Sequence, residues 1–203
     1  MRRLTAFLLC CCLAAVARAG TDDALLRTVL DGLARHPQVR AEFVQTRSSP
    51  ALAQPQVSRG RLLFVLGRGM LWQVESPYRE TLALTGERTA RLDAQGRAQP
   101  VRGERGVGQV SQMLQSMLAG RPDEVLRQFE VAASGSPARW SLRFVPRQAR
   151  MARVLGAIVL DGGDYLDGIR IEMQDGAATD IRFSGTREAG GLSALEARAL
   201  GGS

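Results

Sequence analysis

The chain has 203 residues, with 27 basic side chains, 20 acids and one histidine, for a net charge of +7. All the basic residues are arginine and are scattered along the chain. With aromatics at only 5%, this composition excludes the stacking platforms of single-stranded nucleic-acid binders.

Met1-Arg2-Arg3 gives a short positive start, Leu4 to Val16 is apolar and uncharged, and Ala17-Arg18-Ala19 ends on small residues. This is the three-part layout of a secretory signal, with cleavage expected between Ala19 and Gly20. The apolar stretch is shorter than the roughly 20 residues of a permanent span. Residues 1–19 are therefore read as signal peptide and 20–203 as one domain, large enough for a substantial core. Cys10, Cys11 and Cys12 all fall in the signal, preceded by Leu9 or by cysteine instead of the small residues that lipidation requires. The mature chain then has no thiol chemistry and no disulfide. Loss of Arg2, Arg3 and Arg18 lowers the net charge to about +4, a surplus that suits weak attraction to anionic head groups.

Thr21-Asp22-Asp23 is a predicted helix start. Leu25, Leu26, Val29, Leu30 and Leu33 recur on one helical face up to Pro37. Val39, Ala41 and Phe43 then alternate with Arg40 and Glu42, as a half-buried strand requires. Ser48 to Gln56 reads as a loop. Leu62, Phe64 and Leu66 share one strand face, Gly67-Arg68-Gly69 turns, and Met70, Trp72 and Val74 face the same way on the return. Leu82, Leu84, Ala90 and Leu92 continue a meander through Thr85-Gly86-Glu87, and Asp93 to Gly96 turns again. Val110, Met113, Leu114, Met117 and Leu118 have helical spacing, stopped by Gly120. Pro122 opens a second short helix to Gln128. Trp140, Leu142 and Phe144 begin a further strand series. Ala157 to Leu160, then Ile169, Ile171 and Met173, then Ile181 and Phe183 follow, with Asp175-Gly176 as a hairpin turn. From about residue 188 the chain is Gly- and Ala-rich. Ser193 to Leu200 is read as either a marginal helix or a frayed tail, and a flexible end from about residue 188 is one expectation. Strands in series with short turns imply one curling antiparallel sheet, its apolar face covered by two helical segments.

Catalytic candidates are few. His36 is read as a helix-end residue bonding the last carbonyls. Once the signal is gone, one histidine and no cysteine cannot build a histidine zinc site. Asp161, Asp164 and Asp167 have the chemistry for a calcium site or a hydrolytic carboxylate pair. Their Asp-Gly-Gly-Asp-Tyr-Leu-Asp-Gly setting reads instead as a strand connection. Gly103-Glu104-Arg105-Gly106-Val107-Gly108 is read as a loop entering a helix, because no lysine follows it. Met70, Met113 and Met117 are soft, adaptable side chains suited either to core packing or to a surface that accepts varied partners.

The order of these motifs resembles the periplasmic outer-membrane lipoprotein carrier family (LolA-like). The matching residues are the first amphipathic helix, Phe43-Val44-Gln45, Gly60-Arg61-Leu62-Leu63-Phe64, Met70-Leu71-Trp72 and Pro77. Trp140-Ser141-Leu142 with Pro146, and Asp175-Gly176 followed by Ile181 and Phe183, match later in order. The resemblance implies an α+β fold, an incomplete antiparallel β-barrel with helices as a lid over its concave face. It implies a non-enzymatic periplasmic carrier without cofactor or metal, taking acyl chains from an inner-membrane exporter to an outer-membrane acceptor as a monomer. The expected lipid-binding residues are Phe43, Leu62, Phe64, Leu66, Met70, Trp72, Val110, Met113, Leu114, Met117, Leu118, Trp140, Leu142 and Phe144. Counting back from Trp72, the family places a lid-holding arginine where this chain has Leu66, and Arg68 stands two residues later. A paralogue carrying another exported lipid or glycolipid fits as well as one carrying lipoprotein. Two other readings compete. One is an exported hydrolase using carboxylates near Asp164; the other is an envelope accessory protein with a filled core.

Overall fold

The computed structural model describes residues 13–86, 88–93, 95–101, 105–119 and 121–201. Residues 1–12 of the signal, with its three cysteines, lie outside that set. So do Glu87, Ala94, Gly103, Glu104 and Gly120 of the predicted turns and helix stops.

Two meanders build the sheet. The first runs β1 (Gln38–Ser48), β2 (Gln56–Val65), β3 (Gly69–Ser76), β4 (Glu80–Thr85), β5 (Arg88–Leu92) and β6 (Ala98–Pro100). The second runs β7 (Phe129–Ser136), β8 (Arg139–Pro146), β9 (Leu155–Gly162), β10 (Leu166–Met173) and β11 (Ala178–Glu188). Every neighbouring pair is antiparallel, in the order β6-β5-β4-β3-β2-β1-β11-β10-β9-β8-β7. The first and last strands are thus central neighbours, with Phe43 opposite Phe183. β6 and β7 remain edges, so the barrel is not closed.

Alternation decides which side chains face inward. Ala41 and Phe43 of β1 are buried while Glu42 and Val44 are exposed. Trp140, Leu142 and Phe144 of β8 are buried between exposed Arg139, Arg143 and Val145. The helices α1 (Leu13–Ala34), α2 (Arg105–Leu118) and α3 (Pro122–Gln128) complete this side. Leu26, Val29, Val110, Met113, Leu114, Met117 and Val125 share one core with the inward faces of both meanders. Phe43 stacks on Trp72 at 3.7 Å between ring centroids. Gly60 leaves room for this pair, because a Cβ there would lie 2.9 Å from the Phe43 ring and 1.8 Å from the Gln73 carbonyl oxygen.

Four sequence readings are corrected. The helix expected to begin at Thr21 is one continuous α1 from Leu13. Its Leu- and Ala-rich start is strongly helix-forming and the glycine at position 20 costs only about 1 kcal/mol. β6, β7 and the short α4 (Ala149–Ala152) were not read as elements. His36 does not turn its side chain to the helix-end carbonyls; Nδ1 lies 2.5 Å from the Glu188 carboxylate.

The fourth correction concerns the C-terminal segment, which is docked. α5 (Ala194–Ala199) carries a complete capping box between Ser193 and Glu196. Leu200 is buried against Leu63, Val65, Leu71, Ala83 and Leu92 on the outer face of the sheet. The Arg40 guanidinium holds both Glu196 carboxylate oxygens at 2.6 and 3.0 Å. Arg68 donates to the Ala197 carbonyl at 2.8 Å. Arg68 therefore fastens the C-terminal segment and does not stand in for the lid arginine that Leu66 replaces.

Candidate functional site

A cavity lies between the concave sheet face and the helices. Leu62, Phe64, Met70, Trp72, Ala41, Ile169, Ile181 and Phe183 line it from the strands. Val110, Leu114 and Leu118 line it from α2, and Leu33 from α1. Strand alternation and the 3.6-residue helical repeat bring these side chains to one place, as the sequence pattern requires. The unfilled space is about 80 Å³, against roughly 300–1,000 Å³ for common ligand pockets. It holds only a short stretch of chain unless the helices move.

The expected lipid-binding residues do not all meet at this cavity; Met113 lines a second, separate one. Leu62, Phe64, Met70, Trp72, Val110, Leu114 and Leu118 line this cavity. Phe43 lies behind Trp72 in the stacked pair. Leu66 follows the end of β2 and is half-buried against the core. Met117, Trp140, Leu142 and Phe144 are packed solid in that core. Trp140 donates from its indole nitrogen to the Gly163 carbonyl at 2.7 Å, and Phe144 meets Phe129 edge to face. The region around Trp140, Leu142 and Phe144 is filled where the space beside Phe64 and Trp72 is not.

Tyr165, Leu166 and Thr186 line the cavity without having been expected there, and Leu33 and Val39, expected only on core-facing stretches, join them. The connection between β9 and β10 is only Gly163 to Tyr165, because Asp161 lies in β9 and Asp167 in β10; Tyr165 lines the cavity from that connection and Leu166 from the start of β10. Their signal was present only as an aromatic and a leucine between aspartates.

Among the described side chains, Gln115 ties α2 to the sheet. The Gln115 side chain accepts from the Gly67 amide at 2.7 Å and donates to the carbonyls of Val65 and Gly69 at 3.1 and 3.3 Å. These partners are all backbone groups of the β2–β3 turn. Gly67 has φ of 77°, a left-handed conformation that glycine adopts without strain.

Charge is kept out of the cavity. Among the described residues no Arg, Asp or Glu lines it; its polar lining comes from His36, Ser111, Tyr165 and Thr186. Asp161 pairs with Arg182 at 2.6 Å, Asp164 and Asp167 are exposed, and none of the three reaches the lining. The hydrolase reading therefore lacks an acid in the cleft.

A second cavity of about 420 Å³ lies near α2, α3 and α4, lined by Met113, Met151, Val125, Phe129 and Ile158 together with Gln112, Ser116, Glu124 and Gln128. It is roomier, but a hydrocarbon chain there would strip water from a carboxylate and two amides, which is costly. The smaller cavity is the more apolar of the two.

Residues 15–198 match the family described as outer membrane lipoprotein carrier protein LolA-like. The chain belongs to this family. Solved structures with a similar fold include a LolA superfamily protein from Nitrosomonas europaea, at 10% identity and TM-score 0.48, over 85% of this chain and 94% of that one. A DUF1329 family protein from Desulfovibrio piger is similar at 13% identity and TM-score 0.50, over 88% and 98%. The MucA/MucB complex of Pseudomonas aeruginosa is similar at 10% identity and TM-score 0.48, over 89% of this chain and 62% of that one. No curated protein matches the sequence significantly. The family's description is that of a carrier protein.

Proposed function

We propose that this protein carries acylated cargo, a lipoprotein or another exported lipid, through the periplasm from an inner-membrane exporter to an outer-membrane acceptor. The observation that carries the reading is an apolar cavity, lined by no charged residue among those described, beneath a helix that Gln115 ties to the sheet. A buried acyl chain gains about 0.8 kcal/mol per methylene, enough to hold a lipid tail out of water when the cavity widens. Export would follow the N-terminal signal, with cleavage before Gly20 leaving most of α1 on the carrier. No helix among the described residues is long and apolar enough to cross a membrane.

The test is a fluorescent acyl probe titrated against the mature protein, with mass spectrometry of copurifying lipid. Saturable binding and an endogenous lipid support the carrier. The cavity's small volume favours one other reading, an envelope accessory protein with a filled core. A folded protein that neither binds the probe nor retains lipid is that accessory protein. Intact mass of the exported form checks the Gly20 N-terminus.

A further inference from the structure

The connection from β8 to β9 carries charge of one sign. Between Phe144 and Leu160 the sequence holds three arginines, Arg147, Arg150 and Arg153, and no acid. Arg147 fixes the connection. Its backbone amide donates to the Gln128 carbonyl at 2.8 Å, and its Nε donates to the carbonyls of Leu126 and Phe129 at 3.2 and 3.0 Å. At the other end the Gln174 amide donates to the Val154 carbonyl at 2.9 Å. Between these anchors Met151 is half-buried and lines the larger cavity. Arg150 in α4 and Arg153 at its helical C-cap stand three residues apart, so they share a face. Both are exposed, and among the described residues neither pairs with an acid. Val154, next to Arg153, is 58% exposed, and Val145 near the end of β8 is 40% exposed. Of the acids on the elements packed around this connection, Glu124 is held by Ser116 and Arg121, and Glu172 by Arg143 and Arg170. Exposed Glu130 stands opposite Val145 and marks the edge of the patch on the β7 side. Exposed Asp123 and Arg127 of α3 add one charge of each sign.

We propose that Arg150, Arg153 and Val154 form a membrane-contact surface by which the protein rests on a bilayer containing anionic phospholipid. A guanidinium pairs with phosphate through two parallel hydrogen bonds. Arginine also keeps its charged head at the level of the lipid head groups while apolar neighbours enter the acyl region, and Val154 stands where such a neighbour is needed. A free anion would engage the arginines and leave both valines in water. The connection is anchored at both ends, so little of its freedom is lost on contact. The surface goes beyond the carrier reading and does not require the apolar cavity to hold a lipid.

Flotation of the mature protein with vesicles of phosphatidylcholine, alone or mixed with phosphatidylglycerol, tests this. Binding should require the anionic lipid and weaken as salt is added. Replacing Arg150→Gln and Arg153→Gln together should weaken it roughly thirtyfold. Replacing Arg47→Gln and Arg59→Gln together removes the same charge from exposed positions on β1 and β2, and should change binding less than about threefold. Val154→Trp adds a reporter to the buried Trp72 and Trp140, and its emission should shift to the blue on anionic vesicles. Equal loss in the two arginine pairs, or a tryptophan at position 154 that stays in water on bound protein, overturns the surface. Retention on immobilised polyglutamate without binding to any vesicle assigns the arginines to an acidic protein and overturns it too. Acyl-probe titration of the Arg150→Gln, Arg153→Gln protein should match the unsubstituted one, so failure of the surface and failure of the carrier reading are told apart.

Discussion

Gln115 and Gly67 are joined by a hydrogen bond of 2.7 Å from the Gly67 amide to the Gln115 carboxamide. With the two bonds from Gln115 back to Val65 and Gly69, it fastens α2 to the sheet at the turn between β2 and β3. The attachment is short-range, partly solvated and neutral. It can therefore be released without separating a charge pair in a low-dielectric space.

Gln115→Ala should free the helix without emptying the core. The three hydrogen bonds are worth about 1–3 kcal/mol together after competition with water, so an acyl probe should enter about tenfold or more faster. Stopped-flow binding measures this directly. An unchanged association rate would show that α2 is not the barrier to entry.

Leu114 and Met117 lie on the same helix but should respond differently. Leu114 lines the cavity, and Leu114→Glu places an unpaired charge in it, which should abolish probe binding. Phe64→Glu should do the same. Met117 is buried in packed core, so Met117→Ala should cost about 2–5 kcal/mol of stability and leave probe affinity nearly unchanged in the folded fraction. Denaturant melts alongside titrations separate the two. A gain in ligand capacity for Met117→Ala would place Met117 at the cavity after all.

Docking of the C-terminal segment should depend on acid. Hydrogen bonding to Arg40 holds the Glu196 carboxyl down at about 2, against an ordinary value of 4.5. A depressed carboxyl pKa contributes stability that is complete above the ordinary range and is lost as pH falls from about 4.5 through about 2. Amide exchange at Ala197 and Leu200 should accelerate over that window in the native chain. In Glu196→Gln it should be fast already at neutral pH, through loss of about 1–3 kcal/mol. The same pH response in both proteins would assign the effect to other groups.

Asp161, Asp164 and Asp167 should tolerate Asn. Asp161 loses a half-exposed pair with Arg182, worth under about 1 kcal/mol; the other two are exposed. Transport in a depleted strain should persist for each variant. A large loss with folding intact would return these acids to consideration as catalysts.

The fold was readable where burial is one-sided. Along β8 and β10 each alternate residue faces the core, and the period of two is plain. β7 was missed because Glu130, Ala132, Ser134 and Gly135 give it too little apolar content to stand out. The docked C-terminal segment was missed for a different reason. Leu62-Leu63-Phe64-Val65 is a continuous apolar run, the pattern of a strand covered on both faces, and reading it only for Leu62 and Phe64 left Leu63 and Val65 without a partner. The candidate site was half readable. Periodicity selects which side chains point inward but cannot distinguish a filled region, such as that around Trp140 and Phe144, from an unfilled one beside Phe64. That difference depends on how far apart distant segments sit, which is why Tyr165 and Thr186 emerged only from the assembled chain.

The pairing of β1 with β11 sets the order in which the molecule can form. Phe43 must find Phe183 across most of the chain, and the two meanders meet nowhere else in the sheet. Such remote pairing makes folding slow, because loop-closure entropy is spent before the contact is made. A chain leaving a translocation channel from its N-terminus would hold β1 with one side unpaired until β11 emerged. Closure of this seam, and with it assembly of the cavity, must therefore wait until nearly the whole chain is present. Shortening the chain before β11 should leave β1 as an exposed edge, open to pairing with another molecule.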